Sequence, residues 1–495
     1  MQQSGLYTLK QRKQVLYIIA AFFIVYSSIS LVNHYNFRTF ALDLGMFNQA
    51  LYAYSRGLAA PYTLDPSGII SPFLATHFSP ITILYTPFYY LFGSYTLLLV
   101  QICSILSGAY GTYKLSMQLT RDNHKASLLI LMQFLMTWGI FSALAFDFHN
   151  NVVGAMLVPW LMYYFVKGST RPLLLVTLLL LMTQETMALW VPFIFCGLLL
   201  NFKSIWTRKQ LLFLYLPIII GSIAYALFII IYVMPMLQEQ QQNLQLTRYS
   251  HLGATAADIV QHIIVHPADT IKLLFTNILD DRAYDFIKTE FYIALLLSGG
   301  IFLCLRPAFL IMLIPLLAQK MLSNNYAFWG TNVQYSIEYI PLACAATISF
   351  FSTRKARKNT ILYVSLFATI VTTIRLLDTR VAKWYLPENT RLYQAAHYRS
   401  FVNNQEVYQT LSLLPAQVPV STSSRLAPHI ANRMKLYHFP VVKDAAYIVL
   451  LKSEKDIWPL DAKAYFEQID AYKKDIHWET VQETKDVILL RKKAL

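Results

Sequence analysis

Acidic side chains within or beside long apolar runs are the features of this sequence most able to carry chemistry. They are Asp43, Asp65, Asp147, Glu185 and Glu338. A charged residue at the middle of a membrane span costs roughly 2.5–3.5 kcal/mol on insertion scales, so such residues tend to face a cavity or a partner. The topology argued below places all five near the outer membrane face, and this shared placement is the main indication of a site.

Asp43 lies at the start of the stretch ALDLGMFNQALYAYSRG, which follows an apolar run. Apolar side chains at helical spacing predict an amphipathic helix over 44–57 that could lie on the membrane surface. Two interpretations of the carboxylate stay open. Asp43 caps this helix, since Asp is a common N-cap residue, or it acts as a general base toward a hydroxyl group at the interface.

Two histidines accompany these acids. His77 lies in THFSPIT, where it could bind a substrate, cap a helix or pack in a core. His149 lies in FDFHN, two residues after Asp147, at a junction between two apolar runs. Asp147 and His149 therefore indicate either a part of the site or a polar turn that lets the chain reverse at the interface.

Glu185 and Glu338 complete the set of candidates. Glu185 in MTQETMAL stands in a run of Leu and Met, where it could contact a substrate or make a buried structural hydrogen bond. Glu338 in QYSIEYIPL could pair with Arg248 or mark the start of a span. The residues predicted to bind substrate around Asp43 are His77, Asp147, His149, Glu185, Arg248, Glu338 and Arg56.

The composition places these residues in a membrane protein. Hydrophobic residues make up 56% of the 495 positions and charged residues only 14%, whereas soluble proteins carry roughly a quarter charged residues. We predict a mostly α, polytopic membrane protein of about 10–11 spans, since each span needs about 20 apolar residues. The run 172–200 is too long for one simple span and is expected to form two short helices. The predicted spans are 14–32, 95–117, 126–146, 150–166, 172–200, 211–235, 290–305, 307–322, 335–352 and 359–377.

The net charge of +15 follows from this topology. The short segments assigned to the cytoplasm hold sixteen Lys or Arg and one acid, so they account for the whole excess. Such a distribution is what the positive-inside rule describes, and nucleic-acid binding is not needed to explain it. We expect a bacterial cytoplasmic (inner) membrane protein with a cytoplasmic N-terminus. The cytoplasmic segments are 1–13, 114–125, 167–171, 203–210, Arg306 and 354–358.

The pattern divides the chain into two domains. A membrane domain over 1–377 carries outer loops at 33–94 and 236–289, and the second loop is expected to be helical. The more polar tail, 378–495, predicts an extracytoplasmic α/β domain. VPVSTSS and AAYIVLL are typical of buried strands, DAKAYFEQIDAYKK of a helix, and IHWETVQETKDVILLRKK of a β-hairpin.

One tail segment could bind an anionic acceptor. RLAPHIANRMKLYHFP carries Arg425, His429 and Arg433, whose side chains could contact a glycan. The alternative is a loop that packs the tail onto the spans. The four cysteines all lie in apolar segments and form no metal motif. We find no GxSxG, HExxH or P-loop motif.

Several of these motifs occur together in a known family. They are DLGMFNQALY, THFSPITILYTPFYYLFGSYTLLLVQ, FDFHNNVVGAMLVPWLMYY, TQETMAL, NVQYSIEYIPL and STSSRLAPHIANRMKLYHFP. In this order they resemble an uncharacterised family of bacterial multi-span proteins, which are described as predicted membrane proteins with a domain of unknown function. The resemblance covers residues from about 35 to 450. It supplies no activity by itself.

That family is remotely similar to the GT-C glycosyltransferase superfamily. Asp43 occupies the position of the acid that opens the first outer loop, and THFSP with His77 occupies that of the His-Pro segment. Gln184-Glu185 stands where a Lys-Glu pair is usual. The resemblance implies a polyprenyl-phosphate sugar as donor and an extracytoplasmic glycan, lipid or protein as acceptor. Some such enzymes use a divalent metal, which Asp43 and Asp147 could hold, although their spacing does not require it.

The implied chemistry assigns roles to the candidates. Asp43 would be the general base that takes a proton from the acceptor hydroxyl. Arg248, Arg56 and His77 would stabilise the charge that develops on the leaving phosphate. Two other functions stay open. A transporter or flippase would use intramembrane acids for an ion pathway and would show repeat symmetry, and we see no repeat. A non-catalytic envelope scaffold would depend on its tail rather than on its acids.

Overall fold

The computed structural model describes residues 9–238, 246–353, 359–383, 385–454 and 457–493. Helices dominate, and a small sheet lies near the C-terminus, which confirms the predicted polytopic helical fold. The helices are α1 (Leu9–Tyr35), α2 (Met46–Ser55), α3 (Phe73–Thr76), α4 (Thr86–Phe92), α5 (Thr96–Leu119), α6 (His124–Leu135), α7 (Trp138–Ala145), α8 (Asn150–Lys167), α9 (Thr170–Thr183), α10 (Glu185–Asn201), α11 (Arg208–Gln210), α12 (Leu216–Phe228), α13 (Met234–Leu237), α14 (Ala256–Val265), α15 (Pro267–Phe275), α16 (Ile287–Leu295), α17 (Ile301–Cys304), α18 (Ala308–Met321), α19 (Tyr339–Thr353), α20 (Thr360–Asp378), α21 (Pro387–Thr390), α22 (Asn404–Ser412) and α23 (Ala462–Lys474).

Six of the ten predicted spans correspond to helical segments long and apolar enough to cross a membrane. The other four predicted spans are helical but lie in shorter helices, namely α8, α9 with α10, α18 and α19. The six long segments are Leu9–Tyr35, Pro80–Leu119, His124–Ala145, Arg208–Leu237, Arg282–Cys304 and Thr360–Asp378.

Close helix packing in the membrane domain depends on small residues. A Cβ atom at Gly108 of α5 would lie 2.8 Å from the sulfur of Met156 on α8. A Cβ atom at Gly197 of α10 would lie 2.5 Å from Met312 on α18. Because lipid tails are as apolar as the helices themselves, spans associate through such close contacts rather than through burial from water.

The long apolar run 172–200 is divided at Gln184, as predicted. Gln184 has extended backbone angles (φ −168°, ψ 151°), which end α9 and start α10. Glu185 therefore stands in the first turn of α10 rather than in the middle of a span, and it is buried there.

Three of the predicted segments are described only in part or not at all. Within the predicted outer loop 236–289, α14 and α15 confirm the expected helices, whereas 239–245 lies outside the described residues. The predicted cytoplasmic segment 354–358 also lies outside them, as do residues 1–8 of the first cytoplasmic segment.

The tail folds around a five-stranded sheet, in which β4, β3 and β5 are parallel and β5, β7 and β6 are antiparallel. Strands β3 and β5 fall in VPVSTSS and AAYIVLL, α23 falls in the predicted helix, and β6 with β7 forms the predicted hairpin. The sequence pattern does not predict β4. The strands are β1 (Pro61–Tyr62), β2 (Ser71–Pro72), β3 (Val420–Thr422), β4 (Leu436–His438), β5 (Tyr447–Leu451), β6 (Trp478–Glu483) and β7 (Val487–Lys492); β1 pairs with β2, and the tail sheet has the order β4-β3-β5-β7-β6.

The helix predicted over 44–57 forms as α2, but its expected position on a surface is wrong. Residues 46–53 are all buried, because other parts of the outer loop 33–94 and the tail pack around the helix. The amide of Asn48 donates to Pro428 O at 3.2 Å, and the amide of Gln49 donates to Met434 O at 3.2 Å. The polar positions of α2 therefore bind backbone carbonyls of the tail instead of water.

Candidate functional site

A polar cavity of about 150 Å³ brings together five of the eleven predicted site residues, namely Asp43, His77, His149, Arg248 and Glu338. It lies between the segment that precedes α2, the start of α8, and the segment from the end of α18 to α19. The residues that line it are Asp43, Phe47, His77, Ser79, His149, Asn150, Asn151, Gln184, Thr186, Arg248, Gln319, Lys320, Phe328, Gln334, Tyr335 and Glu338.

Asp43 pairs with His149 in this cavity. Oδ2 of Asp43 lies 2.7 Å from Nε2 of His149, and the carboxylate side chain is 25% exposed. The alternative that Asp43 caps the following helix is wrong, because α2 has Gly45 at its N-cap and no side-chain cap. Burial alone would raise the pKa of Asp43, but the neighbouring His149, His77 and Arg248 together lower it below its ordinary value. Asp43 is therefore ionised at neutral pH.

Asp147 stabilises the backbone of the segment that carries Asp43. It is buried and does not line the cavity. Its Oδ2 accepts the backbone N–H of Phe40 at 2.9 Å and that of Leu44 at 3.3 Å. Burial raises the pKa of Asp147 to about 7, and the charge of Asp43 adds to this effect against the backbone hydrogen bonds. Asp147 thus holds the backbone on both sides of Asp43.

His77 lies beside Glu185, where the resemblance led us to expect no cation. Nδ1 of His77 is 3.8 Å from Oε1 of Glu185 and 3.2 Å from the amide nitrogen of Gln184. The backbone N–H of Phe78 donates to the other oxygen of Glu185 at 3.0 Å. Burial would lower the pKa of His77, but the nearby carboxylate of Glu185 outweighs this effect and raises that pKa. An imidazole therefore lies beside the carboxylate of Glu185.

Glu338 forms an ion pair with Lys320, so the predicted pairing with Arg248 is wrong. Both side chains of this ion pair are buried, and Nζ of Lys320 donates to Oε2 of Glu338. The amide of Asn151 donates to the other oxygen at 3.0 Å. The sequence analysis missed Lys320. Its signal was present, because a lysine at the end of an apolar run meets the same criterion that selected the acids.

Arg248 lines the cavity as a cation without an acidic partner. Its guanidinium lies 4.9 Å from the centre of the Phe328 ring. Among the described residues, no carboxylate lies within ion-pair distance of it. Asp43, Glu185 and Glu338, in contrast, each lie within ion-pair distance of a basic side chain. The described walls of the cavity therefore offer an unmatched positive charge.

The other predicted residues lie elsewhere. Arg56 is exposed at the end of α2, packs on Tyr52 and does not line the cavity. Arg425 pairs with Glu454 at 2.7 Å. His429 stacks on His34, with ring centroids 4.1 Å apart.

Arg433 is buried and donates to Ile430 O at 2.8 Å and to Val418 O at 3.1 Å. The three tail residues thus make contacts inside the tail or between the tail and α1. They do not line the cavity of Asp43. These contacts are those expected for a segment that packs the tail onto the membrane domain.

That Asp43 and Asp147 hold a divalent metal ion stays a prediction. Within the described ranges, no group of three or more His, Cys, Asp or Glu side chains is placed to hold a metal ion. One oxygen of Asp43 is bound to His149, and one oxygen of Asp147 accepts two backbone N–H groups.

The fold and this cavity define a polytopic helical membrane protein with charge-paired polar groups at one site. The family model for predicted membrane proteins, DUF2079, matches residues 33–489, and the chain belongs to this family. The comparison with curated proteins found no match. Among solved structures, the chain is similar to the crystal structure of the Archaeoglobus fulgidus oligosaccharyltransferase in complex with Zn and sulfate. The identity is 10% and the TM-score 0.43, over 88% of this chain and 68% of that chain.

Proposed function

We propose that the protein is a membrane glycosyltransferase that moves a sugar from a polyprenyl-phosphate donor to an extracytoplasmic acceptor. The observation that carries the proposal is the cavity in which an ionised Asp43 faces an unmatched cation, Arg248. A transfer of this kind needs a base for the incoming hydroxyl and a positive charge for the departing phosphate. The motif resemblance to the GT-C superfamily supports the same assignment.

In the proposed reaction, Asp43 accepts the proton of an acceptor hydroxyl while that oxygen attacks the anomeric carbon. The new bond forms as the bond between the anomeric carbon and the phosphate oxygen breaks, and the electron pair of that bond leaves with polyprenyl phosphate. His149 holds the carboxylate in position through the 2.7 Å contact. Asp147 holds the backbone of the segment through Phe40 and Leu44.

Arg248 would receive the phosphate. The donor carries one negative charge as a phosphodiester and gains another as the sugar leaves, so a cation placed there stabilises the transition state more than the ground state. Lys320 is less suited to this role, because its charge is matched by Glu338. His77 adds positive charge near Asp43 when it is protonated, as its raised pKa favours.

The membrane placement is part of the proposal. The excess of Lys and Arg in short loops supports a cytoplasmic N-terminus and an outward-facing cavity and tail in a bacterial inner membrane. The acceptor would then be an envelope glycan, lipid or protein that approaches from the outer side, while the lipid-linked donor arrives through the bilayer.

Lipid mass spectrometry tests the proposal. The strains are a deletion, and the deletion carrying wild type, Asp43→Asn or Asp65→Asn at equal membrane levels. Asp65 is a matched control, because its carboxylate bonds to Ser67 in its own turn and does not line the cavity. We expect one polyprenyl-phosphate sugar to accumulate in the deletion and Asp43→Asn strains alone. No change in any lipid-linked sugar would overturn the proposal and favour transport or a scaffold.

A further inference from the structure

A second cavity lies where the chain leaves α1 and meets the tail. Its volume is about 230 Å³. Three arginines and one glutamate face it, so its walls carry an excess of positive charge. The residues that line it are Arg38, Glu388, Ala396, Arg399, Ser400, Phe401 and Arg425. None of them lines the cavity of Asp43.

Two of these guanidinium groups are buried close together. Arg38 is 4% exposed and Arg425 8%. Arg425 is matched by Glu454, whereas Arg38 has no ion pair to a carboxylate within the described residues. Burial lowers the pKa of Arg38, Glu388 opposes this effect, and the charge of Arg425 lowers the pKa further. The two cations therefore repel each other across a cavity that an anion would neutralise.

The Nη1 and Nη2 groups of Arg38 already donate hydrogen bonds to backbone carbonyl oxygens. Its Nη1 donates to Glu388 O and to His397 O, both at 2.8 Å. Arg38 thus ties the first part of the tail to the segment that follows α1, and it supplies charge to the cavity rather than free N–H groups. A ligand would have to take its hydrogen bonds from the other two arginines.

Arg425 and Arg399 have N–H groups that a ligand could accept hydrogen bonds from. The guanidinium of Arg425 lies between the rings of Phe40 and Phe401, at 4.8 and 5.0 Å from their centres, so its plane is fixed. Its Nε bonds to Glu454 and its Nη1 to Phe37 O. No described residue accepts a hydrogen bond from its Nη2. Arg399 is exposed at the rim, with its side chain available to a ligand.

We propose that this cavity is a binding site for a phosphate group. A fixed guanidinium suits an oxyanion in geometry and charge, and an anion here would relieve the repulsion between Arg38 and Arg425. The phosphate could belong to a lipid headgroup or to a soluble ligand, which share this chemistry. The proposal does not depend on the function proposed for the Asp43 cavity.

The test measures binding of inorganic phosphate to the purified full-length protein by calorimetry. The variants are Arg399→Gln, Arg248→Gln and Arg56→Gln. Arg399 is exposed, so its replacement leaves the fold intact. Arg56→Gln is the control for the loss of an exposed positive charge. We expect Arg399→Gln to weaken phosphate binding about tenfold, as for the loss of a charge-assisted contact, whereas Arg56→Gln and Arg248→Gln retain this site.

Two results would overturn the phosphate site. One is phosphate binding by Arg399→Gln that equals binding by wild type, and the other is a loss of all binding in Arg248→Gln alone. Nanodiscs separate the two ligand sources. If phosphatidylglycerol nanodiscs, unlike phosphatidylcholine nanodiscs, abolish the difference between wild type and Arg399→Gln, the site is filled by a lipid headgroup. A difference that persists in both supports a soluble phosphate ligand.

Discussion

Asp43 and His149 are 106 residues apart in the chain, and their side chains meet at 2.7 Å in the cavity. The contact joins the segment that follows α1 to the start of α8. It gives Asp43 a fixed orientation and a partner for its negative charge. If Asp43 is the base, His149 is a positioning residue whose removal should change the pH at which Asp43 works.

Replacing His149 should shift the acid limb of the pH–rate profile to higher pH. His149, His77 and Arg248 lower the pKa of Asp43, so loss of one of them raises that pKa and requires a higher pH for ionisation. We expect His149→Ala to reduce the transfer rate by roughly tenfold and to move this limb upward. The assay uses the lipid-linked sugar that accumulates in the deletion strain.

His149→Gln is the matched variant, because its amide can still donate a hydrogen bond to Asp43. We expect it to recover most of the rate but not the full effect of the imidazole on the pKa of Asp43. A rate loss in His149→Ala with an unchanged acid limb would contradict the pairing as a source of pKa control, and it would point to a purely structural contact.

Arg248→Gln should lower kcat/KM for the lipid-linked sugar donor. Losing a charge-assisted contact to phosphate removes about 1.5–3 kcal/mol, which corresponds to a decrease of roughly tenfold or more in kcat/KM for the lipid-linked sugar. Arg56→Gln, an exposed arginine outside the cavity, should leave kcat/KM unchanged. Equal losses in the two variants would show that general positive charge, not the position of Arg248, determines donor use.

Replacing only one member of the buried Lys320–Glu338 ion pair should destabilise the protein more than replacing both. Removing one partner leaves an uncompensated buried charge, which costs about 3–5 kcal/mol. We expect Lys320→Met to lower the melting temperature of the purified protein markedly. The double variant Lys320→Met with Glu338→Gln should recover most of the loss, because the glutamine side chain is neutral and could still accept from Asn151. Additive losses would contradict coupling between the two residues.

The sequence predicts the helical membrane fold because long apolar runs and the placement of Lys and Arg are local signals. It predicts Asp43, His77, His149 and Glu338 as site residues for the same reason, since charge or polarity next to an apolar run is visible without a structure. The partners were not predictable. Pairings such as Asp43 with His149 join residues far apart in the chain, and spacing does not determine which groups meet.

The position of α2 was wrong for a related reason. Asn48 and Gln49 look like solvent-facing residues in the sequence, but they donate to carbonyl groups of the tail. A polar residue that bonds to a covering domain gives the same periodic pattern as one that bonds to water. Strand β4, Leu436–His438, was missed because it lies in RLAPHIANRMKLYHFP, whose basic and polar side chains were interpreted as a binding or packing loop.

Asp147 should be replaceable by asparagine but not by alanine. The asparagine side chain would keep an oxygen for the N–H groups of Phe40 and Leu44, whereas alanine leaves both unpaired. We expect Asp147→Ala to lower both thermal stability and transfer, by about 1–3 kcal/mol in stability for the buried groups left without a partner. Asp147→Asn should stay close to wild type near neutral pH.

The pH dependence of thermal stability tests whether the pKa of Asp147 is raised in the folded protein. Its pKa is raised to about 7 in the folded protein, so folding keeps the proton that the unfolded chain releases near pH 4. The contribution of Asp147 to wild-type stability should therefore fall as pH rises from about 4 to 7, and Asp147→Asn should remove this contribution. Thermal unfolding of both proteins at pH 5, 6, 7 and 8 measures it, and parallel curves would contradict a raised pKa.

Acid should weaken the docking of the tail at His429. Its ring stacks on His34 at the end of α1, lies 3.3 Å from the hydroxyl of Tyr408, and has a buried Nε2 without a hydrogen-bond partner among the described residues. Burial, and then the neighbouring His34, lower the pKa of His429 well below its ordinary value. The docked form therefore keeps a neutral ring, and it loses stability as pH falls below about 6.5, by up to ~1.4 kcal/mol per pH unit.

Hydrogen exchange of α22 and of residues 427–429 measures this effect. We expect faster exchange at pH 5.5 than at pH 7.5 in wild type, after correction for intrinsic rates, because a charged His429 would face His34 without a carboxylate partner in the part of the chain that the structure describes. His429→Asn removes one of the two stacked imidazoles, so its corrected rates should respond less to pH than those of wild type. If the exchange rates of both proteins respond equally to pH, another group causes the acid response. The stacked histidines would then be a packing contact only.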